Sequence, residues 1–360
     1  LRHLGAEVGF EKGVLTINVD GDNLVGEASH ELVREMRASI QVMGPLLARL
    51  GRVRVSHPGG CAIGERPIDF HLRGLRLMGA EVWEEHGYIY AQADRLQGVD
   101  IQLDFPSVGA TENLMMAAAL ARGRTRIRGA AKEPEIIESQ NLLNKMGAKI
   151  TGAGTDQIVI DGVEQLGAAE HEVMPDRIEA GTFIIAGAIT GGDIWVGPVI
   201  PEHLGALIAK LKEAGVHFEI YDQQMRVVGP SVLRAVSART LPYPGFPTDL
   251  QPQLMALMAL ANGTSLITEN IYPNRFRHVD ELRRMGARIS VNGDTAVVRG
   301  IPRLTGTTVE ATDLRAGAAL ILAGMAAEGE TTVTNIHHVY RGYEQLTEKL
   351  TGMGANVTQQ

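Results

Sequence analysis

The sequence predicts an α/β protein of two domains, each assembled from three copies of one helix–cap–strand unit. Three observations carry that prediction: a phrase that recurs six times, a glycine at a fixed place in each recurrence, and enough apolar residues for two cores. The chain has 360 residues, 44% of them apolar and 21% charged, so it can bury a large interior, and its length favours two domains over one.

The recurring phrase reads LRHLGAEV, LRLMGAEV, LLNKMGAKI, LKEAGVHF, LRRMGARI and LTGMGANV, with its glycines at Gly5, Gly79, Gly147, Gly215, Gly286 and Gly354. The steps between them are 74, 68, 68, 71 and 68 residues, too long for a two-helix solenoid unit. Within each copy, apolar residues at helical spacing stop at a glycine able to take a left-handed cap, and a short β-branched run follows. Some 23 to 25 residues upstream of the last four glycines lies a second phrase: AALARGRTRIRG, AGAITGGDIWVG, LMALANGTSLIT and LAGMAAEGETTVT. It reads as an alanine-rich helix, a glycine stop and a strand, so each unit holds two helices with strands between. Three units per half place the boundary between the third and fourth copies, giving domains 1–174 and 175–360. The first copy is little more than its ending, and the repeat extrapolates to about 60 to 70 further residues in front of it. A first domain lacking them is expected to expose a strand edge, with weak stability and little or no turnover.

Charge and cysteine usage exclude several classes. A net charge of -8 without a run of like charges argues against nucleic acid and polybasic membrane partners. One cysteine forms no internal disulfide and no two-cysteine metal site. No stretch of 18 apolar residues and no export signal appear, so the expected compartment is the cytoplasm.

Two groups of residues could carry chemistry. In HPGGCAIGERPIDFH, His57 to His71, glycines flank Cys61 and Arg66 follows closely. A lone cysteine is ordinarily a small buried hydrophobe, but beside cationic groups a thiol can give or take a proton near neutral pH and is open to alkylation. The second group comprises PSVGATENL, PDRIEAGTF, PTDLQPQL and TDLRAGAAL, each a proline or small residue with an Asp, Ser or Thr before an apolar helix. If these starts converge, their free N–H groups form an anion-binding floor without a basic protein overall. Asp176, Asp249 and Asp313 each also read as plain N-caps, and Arg37, Arg315 and Arg341 as solvated surface charges.

At GGCAIGERPIDFH, together with RASIQVMGPLLARLG, EPEI, PDRIEAGTF, FPTDLQPQ, NRFRHVDELRRMGA, ATDLRA and YRGYE, the sequence resembles the UDP-N-acetylglucosamine enolpyruvyl transferases, in order from Leu1 to about Val357. The resemblance implies a two-domain inside-out α/β barrel of repeated α/β units, three per domain. It implies transfer of enolpyruvate from phosphoenolpyruvate to the 3-hydroxyl of UDP-N-acetylglucosamine by addition and elimination, with no cofactor and no metal. By the same resemblance Cys61 delivers the proton to the methylene carbon and is the target of fosfomycin, and Asp249 is the base beside the sugar hydroxyl. Arg66, Arg315 and Arg341 hold the phosphate and carboxylate of phosphoenolpyruvate, with Arg37 on the same cationic wall. Pro67, Asp69, Phe70, His71, Ser107, Val108, Gly109 and Ile271 line the sugar nucleotide, and Glu133 and Glu135 support the region between the domains. The sequence departs from the family in lacking its lysine–asparagine pair, and in carrying Gln41 and Phe105 where some relatives have an aromatic residue and a lysine. The alternatives are a catalytically impaired relative that binds UDP-sugars, signalled by the missing lysine, and a 3-phosphoshikimate 1-carboxyvinyltransferase, a branch that does not carry the cysteine loop.

Overall fold

The computed structural model describes residues 1–35, 37–57, 68–272 and 274–359. The chain divides between Val173 and Met174 into two compact units, and each has its own apolar core.

In the second unit the helices Arg177–Ile189, Gln251–Met258 and Leu314–Met325 pack on one another. Their sequences are apolar around nearly the whole circumference, which leaves no face for water, so they form the centre. Glycines let them close up: a Cβ on Gly181 would stand 2.6 Å from the Leu250 side chain. Amphipathic helices Gly205–Ala214 and His278–Arg284 and the sheets lie outside this trio. One sheet orders Asp193–Val196, Gln224–Val228 and His217–Tyr221. Another places Thr264–Thr268 between a short parallel strand, Ala238–Arg239, and the hairpin of Thr295–Arg299 with Arg288–Asn292. Strand burial alternates, with Met225 and Val227, or Ala296 and Val298, facing inward.

The first unit repeats the plan. Helix Val108–Ala118 is central and is touched by Met43–Leu50, Asp69–Leu77 and Pro134–Lys145. Around it stand the sheet of Arg52–Ser56, Tyr88–Gln92 and Glu81–Glu85, and the sheet of Asp100–Gln102, Arg124–Arg128, Gln157–Asp161 and Lys149–Thr151. Helices inside and sheets outside make each unit an inside-out α/β assembly. A third sheet is only the hairpin of Glu7–Glu11 with Val14–Asn18, where Val8 faces Ile17 and Phe10 faces Leu15. Phe10, Leu15 and Ile17 are exposed on one face of it.

All six phrase glycines have positive φ, from 91° at Gly5 to 103° at Gly147, the conformation that favours glycine. Two copies differ from the helix–cap–strand expectation. The first ends a 3-10 turn, Arg2–Leu4, rather than an α-helix. The last has a helix, Leu346–Gly352, but no strand after it among the described residues. The second phrase has a further instance unmarked in the sequence, helix Met43–Leu50, Gly51 and strand Arg52–Ser56, which lies 28 residues before Gly79 and is poor in alanine.

Candidate active site

Asp249 is the centre of the polar cluster in the second unit. It lies within the 3-10 turn Thr248–Leu250, whose N-cap is Pro247, and it caps no helix. The capping alternative is therefore corrected for this aspartate, while Asp176 and Asp313 do cap: Asp176 accepts from the amides of Ile178 and Glu179, and Asp313 from those of Arg315 and Ala316. The reason is electrostatic. Arg275 Nη1 lies 2.7 Å from Asp249 Oδ1 and Arg315 Nη2 lies 3.0 Å from Oδ2, so each carboxylate oxygen meets a guanidinium. Burial alone would push the Asp249 carboxyl up, but Arg275 and then Arg315 more than offset it and hold it well below the usual carboxylate range.

The two arginines are held differently. Arg275 is 4% exposed and also donates to Thr248 Oγ1 at 2.9 Å. Arg315, at the start of helix Leu314–Met325, donates through its other Nη to the Tyr343 hydroxyl at 3.3 Å. That hydroxyl is 2.9 Å from Thr182 Oγ1, and Gln253 Nε2 donates to the same threonine at 3.1 Å. Thr182 and Gln253 sit on helices Arg177–Ile189 and Gln251–Met258, so side chains from three helices meet in one network within this unit, while the first-turn amides of two of them are taken by Asp176 and Asp313. Arg315 is thus no solvated surface charge. Arg341 ends the 3-10 helix Ile336–Arg341 at the surface. Burial first, and then His337 and Arg341, hold the His338 imidazole below its ordinary value. Ile271 is half-buried, and its amide donates to Glu269.

In the first unit the sugar-nucleotide candidates gather around His71. Asp69 opens helix Asp69–Leu77, Phe70 lies 5.4 Å from the Arg73 guanidinium, and His71 is buried. Ser107 Oγ caps helix Val108–Ala118 by accepting from the Ala110 amide at 3.3 Å, which makes Val108 and Gly109 its first residues. A Cβ on Gly109 would stand 3.4 Å from the His71 ring, ordinary contact distance, so the helix start lies directly beside the imidazole. Asn113 Nδ2 is 2.9 Å from His71 Nδ1 and also donates to the Ile40 carbonyl, while its Oδ1 accepts from the Gly44 amide. Because that NH₂ only donates, His71 Nδ1 is the acceptor. Gln41 Nε2 donates to Glu112 at 2.8 Å. Burial, and then the charges of Glu135 and Glu133, raise the Glu112 carboxyl to about 7. Cys61, Arg66 and Pro67 lie outside the described residues, as does the side chain of Arg37.

Arg275, Thr248 and Glu269 in the second unit, and Glu112 and Asn113 in the first, escaped the sequence reading. Arg275 stands in NRFRHVDELRRMGA and Thr248 in FPTDLQPQ, both stretches that carry the resemblance. The only signal for Glu269 is an acid set directly after a strand with alternating burial, Thr264–Thr268.

A family model described as EPSP synthase (3-phosphoshikimate 1-carboxyvinyltransferase) matches residues 1–350. The solved enolpyruvyl transferase NikO from Streptomyces tendae superposes with a TM-score of 0.87 at 29% identity, covering 99% of this chain and 85% of that one. EPSP synthase from Acinetobacter baumannii shares the fold, with a TM-score of 0.72 at 20% identity over 99% of this chain and 87% of its own. The family match and the fold together define an enzyme of the enolpyruvyl transferase class. UDP-N-acetylglucosamine 1-carboxyvinyltransferase 1 of Symbiobacterium thermophilum is 58% identical over 99% of this chain and 82% of its own length. The protein of that name from Caldanaerobacter subterraneus subsp. tengcongensis is 54% identical over 99% and 86%. The chain belongs to the UDP-N-acetylglucosamine 1-carboxyvinyltransferase family.

Among the described residues, no helix is long and apolar enough to cross a membrane.

Proposed function

We propose that this chain transfers the enolpyruvyl group of phosphoenolpyruvate to the 3-hydroxyl of UDP-N-acetylglucosamine in the cytoplasm, the first committed step of peptidoglycan precursor synthesis. The observation that carries the reading is Asp249 set between Arg275 and Arg315, an acceptor beside one guanidinium, that of Arg315, suited to an anionic small molecule. The acceptor's 3-oxygen attacks C2 of phosphoenolpyruvate as its proton passes to Asp249, and C3 takes a proton from the Cys61 thiol. The tetrahedral ketal then gives a proton from C3 back to the Cys61 thiolate as the bond from C2 to the phosphate oxygen breaks, and the departing phosphate takes the proton held by Asp249, which restores the vinyl group and both side chains.

An aspartate paired to two guanidinium groups is a weak base. An incoming anion that draws Arg315 toward itself, with Arg341 as its second clamp, removes one of the two charges that depress Asp249. Base strength then rises only when phosphoenolpyruvate is in place. Arg66 and Arg37 complete the anion clamp. Asp69, Phe70, His71, Ser107, Val108, Gly109, Pro67 and Ile271 hold the sugar nucleotide, where the His71–Asn113 bond fixes the ring and the amides at the start of helix Val108–Ala118 suit a phosphate.

Phosphate release and calorimetric binding, each measured with UDP-N-acetylglucosamine and with shikimate 3-phosphate, test the reading. Preference for the UDP-sugar is expected, and Asp249→Asn should cut kcat about 10²- to 10⁴-fold while sparing acceptor binding. Preference for shikimate 3-phosphate would overturn the assignment.

A further inference from the structure

Glu269 is 1% exposed and directly follows strand Thr264–Thr268. A carboxylate so placed is costly unless its lone pairs are filled. Here four donors fill them. Thr240 Oγ1 at 2.8 Å and the amides of Ile271 and Tyr272 at 2.9 and 3.0 Å donate to Oε1, and Thr248 Oγ1 at 2.9 Å donates to Oε2.

That last bond sets the direction of a chain. A carboxylate only accepts, so the one proton of the Thr248 hydroxyl is committed to Glu269 and its lone pair faces Arg275 Nη1, 2.9 Å away. The same Nη1 stands 2.7 Å from Asp249 Oδ1 in an ion pair, so one guanidinium nitrogen serves both the hydroxyl and the carboxylate. Each group is therefore oriented by the one before it.

We propose that Glu269 and Thr248 are positioning residues, which through Arg275 lock Oδ1 of Asp249 and leave only its Oδ2, paired with Arg315, free to exchange partners. This rests on the reading of Asp249 as the base. It explains why two arginines on one aspartate are not redundant. Arg275 is buried and tied back to the protein's own carboxylate, so a substrate anion cannot recruit it without breaking the Thr248 bond. Among the described residues Arg315 donates to Asp249 and to a tyrosine hydroxyl.

The test is a pH titration of the Asp249 carboxyl by carbon NMR on aspartate-labelled whole chain, with the resonance assigned by its loss in Asp249→Asn. In the unaltered protein it should stay ionised down to acid unfolding. Thr248→Val cuts the link and should bring the titration up by about one unit or more, a tenfold or larger gain in proton affinity. Thr248→Ser keeps the hydroxyl and should restore the low value. Glu269→Gln turns an amide NH₂ toward Thr248, sets donor against donor at Arg275, and should act in the same direction as Thr248→Val. Far-UV circular dichroism of each variant separates loss of the link from loss of fold, and Thr248→Ser serves where Thr248→Val does not fold. An Asp249 titration identical in the unaltered chain and a folded Thr248→Val, or a Thr248→Ser as displaced as Thr248→Val, overturns the proposal. The readout needs no turnover. A correct titration without transfer to UDP-N-acetylglucosamine would count against the functional reading alone.

Discussion

Half-buried Glu112 and buried His278 are ionisable groups that loss of solvent moves in opposite directions. The Glu112 carboxyl rises from 4.5 to about 7 in the folded protein, through burial and then Glu135 and Glu133. Its contribution to stability is complete below 4.5 and is lost as pH rises through about 7, on the order of 3 kcal/mol. The His278 imidazole falls from 6.5 to about 4, chiefly by burial. Its contribution is complete above 6.5 and is lost as pH falls through about 4, again on the order of 3 kcal/mol. Between 4.5 and 6.5 the two slopes oppose each other. Glu112→Gln should therefore unmask a stability that climbs with pH across that window, measured by urea denaturation at a series of pH values, and an unchanged pH slope would refute this. The same scale shows what a sequence conveys about a site. Asp249 and Arg315 were legible because their motifs are specific. Arg275 was not, since nothing in a string of residues tells a buried arginine from the solvated Arg283 and Arg284 beside it. Glu269 acts only through Thr248, a contact across 21 residues.

Among the elements, the glycine caps were the most legible feature, because a left-handed φ excludes nearly every other residue. The parallel strands Asp100–Gln102 and Ala238–Arg239 were not, being two or three residues long and defined only by their neighbours. A second class of glycine has no left-handed φ and is just as constrained. Gly162 and Gly300 each follow the central strand of a hairpin and donate to Gly123 and Gly263, while Val163 and Ile301 donate to Ala119 and Ala259. In both places a Cβ would collide with a helix-end carbonyl, of Ala121 or Ala261. Gly162→Ala and Gly300→Ala should each cost about 3 kcal/mol or more, because the obstacle is backbone. Gly205→Ala should instead stabilise by about 0.5–1 kcal/mol, since Gly205 is helical with open space around its Cα. Thermal denaturation of the three variants checks both signs, and equal effects at Gly162 and Gly205 would refute the steric argument.

For the whole molecule, the repeat period carried the architecture: six glycines at near-regular spacing gave three units in each half before any element was placed. What the period could not convey is which surfaces remain uncovered. The ribbon of Glu7–Glu11 and Val14–Asn18 has no further strand on either side among the described residues, and Phe10, Leu15 and Ile17 stand on its open face. Open edges of this kind pair with other chains unless something blocks them. Sedimentation velocity should show mass rising with concentration, and Phe10→Lys with Leu15→Lys should suppress the rise; a single monomer boundary at every loading would remove the idea. Solubility would then be governed by a dozen residues far in sequence from Asp249, the aspartate proposed as the base, so that shelf life and turnover could be tuned separately.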